Sequence, residues 1–389
     1  MIDRRGSGSA KWDAVKDDTI PLWVADMDFP CLPELREVLV RRAEHPFYGY
    51  KAHSPEYYEA IRRWYQTQHG LEIPRLHILS GPGTVLSLGM VVREFSREGD
   101  GVLLLTPVYT PFFEVVRENR RRVVEVPFDT TPAGSFILEM EKIERAVEKA
   151  EEAGIKVPLA LFCSPHNPGG RVWTEEEIAA FLAFAEKRNI MVAVDEIHCD
   201  FVYGESGRFV SAASFEGYAD RIIVVSGANK SFNLGGLHIS HFVIRDDRLR
   251  GIIKTALHRE THHEGDVFAE LAVETVYRCG AAWIGELRRY LRQNILAAAQ
   301  FLNTEVPGVR AFVPGGTYLI WADVRGLIEK TGCGDDAELA RRLEDTAKVK
   351  ITPGSMYGQA GSGYARINIA SPRSLLLEGL RRIKGIAKS

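Results

Sequence analysis

Four chemically different side chains follow four aliphatic segments of this sequence. They are Tyr109 after "LLLTPV", Asn167 after "LFCSPH", Asp195 after "MVAV" and Lys230 after "VVSGAN". The lysine has two interpretations: it lies on a surface loop with its ammonium group in water, or it is desolvated, less basic and able to condense with an aldehyde. Taken singly, the tyrosine is a core-edge residue, the asparagine a turn residue and the aspartate a helix cap. All four together indicate a chemical site.

The four aliphatic segments have the pattern of strands that are buried on both faces. Such strands belong to parallel sheets covered by helices. Amphipathic helices alternate with them: Thr174 and Glu177 form a capping box in "TEEEIAAFLAFAEKRN", and Ser54 caps a helix that ends at Gly70. This alternation predicts an α/β open sheet. Because ligands bind outside the carboxyl ends of the strands in such sheets, the four side chains should converge on one crevice.

The pattern changes after about residue 275, where longer helical segments alternate with fewer strands. This change predicts a smaller α+β domain. We therefore divide the chain into a large domain, residues 41–275, and a small domain formed by residues 1–40 and 276–389, with the N-terminal segment packing on the small domain.

Composition restricts the classes of partner. The 389 residues carry a net charge of -3, which gives no reason to expect nucleic acid or an anionic membrane as partner. The five cysteines are far apart and form no C-x-x-C pair, which argues against a disulfide framework and fits a reducing cytoplasm. No segment has the pattern of a signal peptide or a membrane span. We expect a cytoplasmic protein acting on a small molecule.

Lysine, aspartate, aromatic and amide side chains together suit pyridoxal 5'-phosphate. The lysine would hold the aldehyde, the carboxylate would keep the pyridine nitrogen protonated, the aromatic ring would stack, and the amide would bond the phenolic oxygen. The segment "SGPGTVLSLGM" supplies a phosphate site, because small residues at a helix N-terminus leave backbone N–H groups free. Gly83, Thr84 and Val85 would contact the phosphate.

Two other motifs do not support their usual function. In "GPGTVL" the third glycine of a dinucleotide fingerprint is replaced by Leu86. His258 and His262 have helical i, i+4 spacing, but Glu260 is at i+2, where a helix points it away from both histidines. We therefore expect no metal, and we interpret the cluster with His263 as solvated or at a pocket rim.

Seven motifs carry a resemblance to a known family. They are "LWVADMDFP", "FYGY", "TPVYTPF", "CSPHNPGGRVW", "VDEIHCDFVY", "SGANKSFNLGGL" and "YARINIASPR". The chain resembles fold-type I pyridoxal phosphate enzymes of the class I/II aminotransferase family, in particular the MalY and PatB type of cystathionine β-lyases (C–S lyases). The resemblance implies an aspartate aminotransferase-like fold, with a mainly parallel sheet in the large domain and a smaller α+β domain.

The resemblance also implies roles for individual residues at the cofactor. Lys230, Asp195 and Tyr109 match the family's catalytic positions. His198 stands where many relatives carry tyrosine and, with Asn167, would approach the phenolic oxygen. The resemblance further implies that Ser226 contacts the phosphate, beside Gly83, Thr84 and Val85.

Substrate recognition is implied at the opposite side of the site. Arg366 resembles the clamp for the substrate α-carboxylate, a task that suits its planar fork, with Asn167 beside it and the backbone of Val24 and Ala25 closing over the same carboxylate. Tyr50, rather than Tyr48, resembles the tyrosine that reaches the phosphate of the neighbouring subunit. A homodimer with shared sites follows from this match.

Two departures bear on substrate identity. Many aminotransferases carry arginine eight residues after the lysine, where this chain has His238, and "THHEGDVF" is more polar than expected in this branch. The leading hypothesis is a β-lyase that cleaves the C–S bond of cystathionine or an L-cysteine S-conjugate to thiol, pyruvate and ammonia. The alternative is an aminotransferase with a 2-oxo acid acceptor, and a third is a non-catalytic regulator that uses the fold to bind a ligand.

Overall fold

A computed structural model describes residues 2–16, 18–204, 208–260 and 265–387 of the chain. The strands of these residues are β1 Ile20–Pro21, β2 Ile78–Gly81, β3 Gly101–Thr106, β4 Arg122–Pro127, β5 Asp129–Thr130, β6 Phe136–Ile137, β7 Leu159–Cys163, β8 Met191–Asp195, β9 Ile222–Ser226, β10 Ser240–Val243, β11 Arg310–Ala311, β12 Leu319–Asp323, β13 Val349–Lys350, β14 Thr352–Pro353 and β15 Tyr364–Asn368.

The α-helices lie between these strands, and the last one follows β15. They are α1 Pro33–Glu44, α2 Pro55–Trp64, α3 Thr84–Phe95, α4 Thr110–Glu118, α5 Met140–Glu152, α6 Glu175–Lys187, α7 Asp247–Arg259, α8 Ala269–Cys279, α9 Ala281–Glu305, α10 Arg325–Thr331, α11 Asp336–Arg342 and α12 Arg373–Ile386. None of the described helices is both long enough and apolar enough to cross a membrane.

The central sheet has seven strands in the order β2-β10-β9-β8-β7-β3-β4. The four predicted aliphatic segments form β3, β7, β8 and β9, which are neighbours and run parallel. Every residue of β3, β7 and β9 is buried, as expected for strands covered by helices on both faces. The strand β10 is antiparallel to both of its neighbours, so the sheet is mixed but mostly parallel, which confirms the predicted fold class.

Local sequence signals place the helices that cover the sheet. Thr174 and Glu177 form the predicted capping box at the start of α6. The Oγ of Ser54 accepts the backbone N–H of Tyr57 at 3.1 Å and caps α2. This helix continues as a π-helical turn and ends at Gly70, whose φ of 65° lies in the left-handed region.

The second sheet lies in the C-terminal part of the chain and is antiparallel, in the order β11-β12-β15-β14. The N-terminal strand β1 pairs in parallel with β13, with Ile20 opposite Val349. This pairing brings the N-terminal strand against the C-terminal part of the chain. The domain boundaries, residues 1–40 and 276–389 against 41–275, stay a prediction.

Candidate active site

Lys230 lies four residues beyond the end of β9 and is half-buried. Its Nζ donates a hydrogen bond to the carbonyl oxygen of Ala25 at 2.8 Å. Burial lowers the pKa of Lys230 to about 8; the charge of Arg366 acts in the same direction, and Asp26 and Asp195 oppose it. A substantial fraction of this amine is therefore neutral near pH 8. The desolvated interpretation of the lysine is supported over the surface-loop interpretation.

Asp195 is the last residue of β8 and is 3% exposed. Its Oδ1 accepts the backbone N–H of Ile197 at 3.0 Å. Burial raises the pKa of Asp195 to about 6, against the opposing effects of the Ile197 N–H and the charge of Lys230. The carboxylate is thus ionised at neutral pH while its environment favours pairing with a cation.

Arg366 lies on β15 of the second sheet and is 5% exposed. Its Nη1 donates to Asn167 Oδ1 at 3.0 Å, and its Nη2 donates to the carbonyl oxygen of Trp23 at 2.8 Å. The guanidinium carbon lies 5.0 Å from the ring centroid of Tyr357, in cation–π contact. Its Nε is buried and has no hydrogen-bond partner among the described residues. The guanidinium is therefore fixed in position, with donor capacity remaining.

Asn167 and Tyr109 lie beyond the carboxyl ends of β7 and β3, as the strand pattern predicts. Asn167 is 4% exposed and faces Arg366. Tyr109 immediately precedes α4, and burial raises its pKa, with the charges of Arg366 and Asp195 acting on it in opposite directions. The structure therefore brings these predicted residues together at one end of the sheet.

His198 is almost completely buried, three residues after Asp195. Both ring nitrogens lack a hydrogen-bond partner among the described residues. Its ring makes an edge contact with Tyr318, with centroids 5.7 Å apart. Burial lowers the pKa of His198 well below its ordinary value, and the charges of Lys230 and Arg366 add to this effect. A buried neutral imidazole without partners is costly, so this position fits contact with a polar ligand.

The backbone near Val24 and Ala25 reaches the site through carbonyl oxygens. The Ala25 oxygen accepts Lys230 Nζ and also the hydroxyl of Tyr318 at 3.1 Å. The Val24 oxygen accepts Asn368 Nδ2 at 2.5 Å. Tyr318 lies in none of the seven motifs, and Asn368 lies in "YARINIASPR" without a predicted role, so sequence analysis missed both. The predicted contact of Val24 and Ala25 with a substrate carboxylate stays a prediction.

The predicted phosphate site is the N-terminus of α3, which begins after Gly83. Gly83 has a φ of 104°, a conformation that favours glycine, and no described side chain caps this helix end. The Gly83 N–H donates to Ser240 Oγ at 3.2 Å, and this oxygen lies 2.9 Å from Ser87 Oγ. Sequence analysis missed Ser240. Because Ser240 occupies the Gly83 N–H, the N–H groups of Thr84 and Val85 are the better candidates for an anion.

Ser226, the last residue of β9, is predicted to contact the phosphate, but its hydroxyl is bonded within the protein. Its Oγ donates to the carbonyl oxygen of Glu196 at 3.1 Å. Glu196 in turn accepts Ser211 Oγ and the Ala212 N–H, each at 2.7 Å, and burial raises its pKa to about 8. Glu196 therefore has a structural role, and a phosphate contact of Ser226 stays a prediction.

A buried carboxylate supports the segment that carries the lysine. Asp200 accepts a hydrogen bond from Ser231, which directly follows Lys230, and another from Trp64 Nε1 at 2.9 Å. His69 Nε2 lies 3.0 Å from Asp200 Oδ1. Burial pushes the pKa of Asp200 up, but these donors outweigh it and the pKa is lowered. Asp200 thus remains ionised and fixes the backbone next to Lys230, a function that sequence analysis missed.

The two tyrosines of "FYGY" are both exposed at the surface of the chain. Tyr50 is 95% exposed, whereas Tyr48 donates to the carbonyl oxygen of Ala43 at 2.5 Å. The exposed side chain of Tyr50 fits the expectation that it contacts the phosphate in a neighbouring subunit. This contact stays a prediction. His238 is exposed with a φ of 48°. His262 and His263 lie outside the described residues.

Comparisons with known proteins agree with the resemblance. A family model described as aminotransferase class I and II matches residues 17–383. Cystathionine beta-lyase PatB of Bacillus subtilis is 34% identical over 390 residues, covering 98% of this chain and 97% of the relative.

Two solved structures extend the comparison to three dimensions. Cystalysin from Treponema denticola, which contains pyridoxal 5'-phosphate, superposes with a TM-score of 0.91 at 29% identity, covering 100% of this chain and 97% of that chain. The pyridoxal phosphate-bound C–S lyase from Staphylococcus hominis gives 0.91 at 28% identity, covering 99% and 97%. The chain therefore has the predicted aminotransferase-like fold and belongs to the class I and II aminotransferase family.

Proposed function

We propose that the protein is a pyridoxal phosphate-dependent β-lyase that cleaves the C–S bond of cystathionine or an L-cysteine S-conjugate. The observation that carries this proposal is the desolvated Lys230, with its pKa lowered to about 8, in one site with Asp195 and Arg366. A binding module has no need of such an amine. The names of the similar proteins, a cystathionine β-lyase and a C–S lyase, support this reaction class.

Unsatisfied groups of the site fit the cofactor. Within the described parts of the chain, His198 has two buried ring nitrogens without partners, and no side chain caps the N-terminus of α3 after Gly83. One set of groups suits a polar ring and the other an anion, which matches the two ends of pyridoxal phosphate. The residues that would hold it are Lys230 at the aldehyde, Asp195 at the pyridine nitrogen, Tyr109 against the ring, Asn167 and His198 at the phenolic oxygen, and Gly83, Thr84, Val85, Ser226 and Tyr50 at the phosphate.

When bound, the cofactor supplies an aldehyde and a ring that accepts electrons from the substrate Cα. Asp195 holds the positive charge of the ring nitrogen, because its carboxylate is ionised above about pH 6. Arg366 binds the substrate α-carboxylate with its fork and so fixes Cα relative to Lys230. Lys230 then accepts the Cα proton, a task that suits an amine whose pKa is about 8.

Loss of the α-proton prepares the substrate for elimination. The Cβ–S bond breaks, its electron pair leaves with sulfur, and the thiolate takes up a proton. Addition of one water to the remaining three-carbon fragment releases pyruvate and ammonia, so atoms and charge balance. The same first proton transfer also begins a transamination, which makes an aminotransferase the second candidate. The family model that matches residues 17–383 favours it, because its description is aminotransferase.

The two candidates differ in their need for a second substrate. We expect the cofactor-loaded enzyme to convert cystathionine or a cysteine S-conjugate into thiol, pyruvate and ammonia in equal amounts without added 2-oxo acid. Lys230→Ala should form none of these products. Accumulation of the aminated cofactor, with turnover only after a 2-oxo acid is supplied, would reject the lyase and support the aminotransferase.

We further propose that the protein is a homodimer with shared active sites. Tyr50, 95% exposed, supports this arrangement because an aromatic side chain gains stabilisation from burial against a partner. A cytoplasmic location, expected from the five dispersed cysteines, stays a prediction.

A further inference from the structure

The Asp28 carboxylate accepts four side-chain hydrogen bonds. Its Oδ1 accepts Arg4 Nη1 at 3.0 Å and Trp12 Nε1 at 2.7 Å. Its Oδ2 accepts Lys11 Nζ at 2.7 Å and Ser371 Oγ at 2.6 Å. The side chain of Asp28 is only 3% exposed and that of Lys11 is completely buried. One carboxylate therefore joins the first residues of the chain to the segment before α12.

A buried ion pair of this kind is sensitive to the loss of either member. Burial lowers the pKa of Lys11, while the charge of Asp28 raises it. Removing Asp28 would leave an ammonium group in the interior without the carboxylate that it pairs with, which is far more costly than never having buried the pair. The pair is thus a rigid connection rather than an exposed surface contact.

The cations that bind Asp28 also bind the backbone beside the active site. Lys11 Nζ donates to the carbonyl oxygen of Asp26 at 2.9 Å, and Arg4 Nη1 donates to that of Met27 at 2.8 Å. Asp28 therefore directly follows residues 23–27, a stretch that we call the site segment.

Every carbonyl oxygen of the site segment accepts two hydrogen bonds. The donors are Arg366 and Thr352 to Trp23, Asn368 and the Asp26 N–H to Val24, Lys230 and Tyr318 to Ala25, Asn368 and Lys11 to Asp26, and Arg4 and Asn233 to Met27. The same short backbone thus receives the proposed catalytic base, the proposed carboxylate clamp and the donors from the Asp28 site. Such a backbone cannot shift at one end without moving its contacts at the other.

We propose that Asp28 and Lys11 are positioning residues for the reaction, acting through the site segment to hold the Ala25 carbonyl against Lys230 and the Trp23 carbonyl against Arg366. The inference rests on the proposed function for the roles of Lys230 and Arg366. Neither Asp28 nor Lys11 touches substrate or cofactor in this scheme. Their effect is exerted through backbone carbonyls, which no side-chain substitution removes directly.

The test compares Asp28→Asn and Lys11→Met with the wild-type enzyme. A displaced Trp23 carbonyl loosens Arg366, so KM for the sulfur amino acid should rise roughly tenfold while kcat changes much less. A displaced Ala25 carbonyl removes an acceptor that favours the charged amine, so Lys230 should lose its proton at lower pH. The pH midpoint for acetylation of Lys230, followed by mass spectrometry on the full cofactor-free chain, should move down. The charges of Asp26, Asp195 and Arg366 remain in both variants.

Controls separate positioning from general destabilisation. Asp13→Asn is the matched control, because Asp13 is exposed on the same N-terminal stretch and its Oδ1 accepts the Gly6 N–H at 2.7 Å, away from the site segment. If a single variant fails to fold, the double variant Lys11→Met, Asp28→Asn removes both buried charges together and should still show the raised KM and the lowered midpoint.

Each outcome decides the proposal. A lower melting temperature with unchanged KM and unchanged Lys230 midpoint in the folded variants would mean that Asp28 only stabilises the fold, and would overturn it. The acetylation midpoint does not depend on which reaction the loaded enzyme performs. An unexpected product therefore rejects the proposed function, whereas an unmoved midpoint rejects the positioning role.

Discussion

Arg366 Nη1 donates a hydrogen bond to Asn167 Oδ1 at 3.0 Å, although 199 positions separate the two residues. Arg366 lies on β15 of the antiparallel sheet, and Asn167 follows β7 of the seven-stranded sheet. This contact joins the proposed substrate clamp to a proposed cofactor contact. Recognition of the α-carboxylate and orientation of the cofactor therefore depend on each other across the two sheets.

Arg366→Ala should lower kcat/KM on the order of a hundredfold, because two charge-assisted hydrogen bonds to a carboxylate are lost. Arg366→Lys should recover only part of this loss, since a lysine keeps the charge but not the planar fork. Steady-state kinetics with a cysteine S-conjugate measure both effects.

The matched control is Arg381→Ala, at an exposed arginine on α12 that pairs with Glu378 at 3.2 Å. It should retain wild-type kinetics. Cofactor absorbance should survive in Arg366→Ala; a variant that loses cofactor or unfolds would instead assign Arg366 to the structural framework.

Lys230→Ala should abolish both turnover and covalent retention of the cofactor. The physical reason is that the variant lacks the desolvated amine that would bind the cofactor aldehyde and accept the Cα proton. Borohydride treatment of the wild-type enzyme should bleach its visible band and add the cofactor mass to the peptide that contains Lys230. Lys254→Ala, at an exposed lysine, should behave as wild type. Cofactor mass on any other lysine would contradict the assignment.

The positions of the central site residues could be predicted from sequence because they depend on a local pattern. An aliphatic segment that ends in a polar residue marks the carboxyl end of a buried strand, and parallel strands bring such ends together. This pattern predicts the positions of Asp195 and Lys230 from the sequence. Their chemical roles came from the family resemblance, which no strand pattern contains.

Contacts between distant segments could not be predicted in this way. Tyr318 reaches Ala25 across 293 positions, and Ser240 reaches Gly83 across 157. Neither residue lies in a motif, and each pairs with a backbone group, which every residue carries. Asp28 does lie in the motif "LWVADMDFP", but the motif does not show which side chains bind it, because its four donors come from both ends of the chain. Only the folded chain reveals these pairs.

Asp195→Asn should change how the stability of the cofactor-free protein depends on pH. The folded-state pKa of about 6 is above the unfolded value of about 4, so folded wild type binds more protons between these values and loses stability as pH rises through them. A difference of about 2 pKa units corresponds to roughly 3 kcal/mol. The unfolding free energy of the variant, measured in urea, should therefore gain roughly that amount relative to wild type between pH 4 and pH 7.

The control for this prediction is internal, because groups that do not interact with Asp195 cancel in the difference, and Lys230 and Glu196, which do interact with it, have pKa values of about 8, above this pH range. A difference that stays constant with pH would mean that Asp195 titrates at its ordinary pKa in the fold. The same variant should bind cofactor more weakly at neutral pH, since an amide cannot hold the charge of the ring nitrogen.

Tyr50 provides a test of the shared active site. If its hydroxyl completes the phosphate site of a neighbouring subunit, Tyr50→Ala and Lys230→Ala homodimers should each be inactive when cofactor is limiting. Subunit exchange between them places an intact lysine from one chain opposite an intact tyrosine from the other. Each mixed dimer then contains one complete site and one that lacks both groups. Random exchange should restore about a quarter of wild-type activity, because half of the dimers are mixed and each has one working site.

Formation of mixed dimers must be followed independently, by native mass spectrometry of differently tagged chains. Tyr48→Ala mixed with Lys230→Ala is the matched control, because the Tyr48 hydroxyl is already bonded to the Ala43 carbonyl within its own chain. Tyr48→Ala should be active before mixing, so exchange should give no increase above the average of the parents. Confirmed mixed dimers of Tyr50→Ala and Lys230→Ala that remain inactive would show that both residues act within one subunit, and the shared site would have to be abandoned.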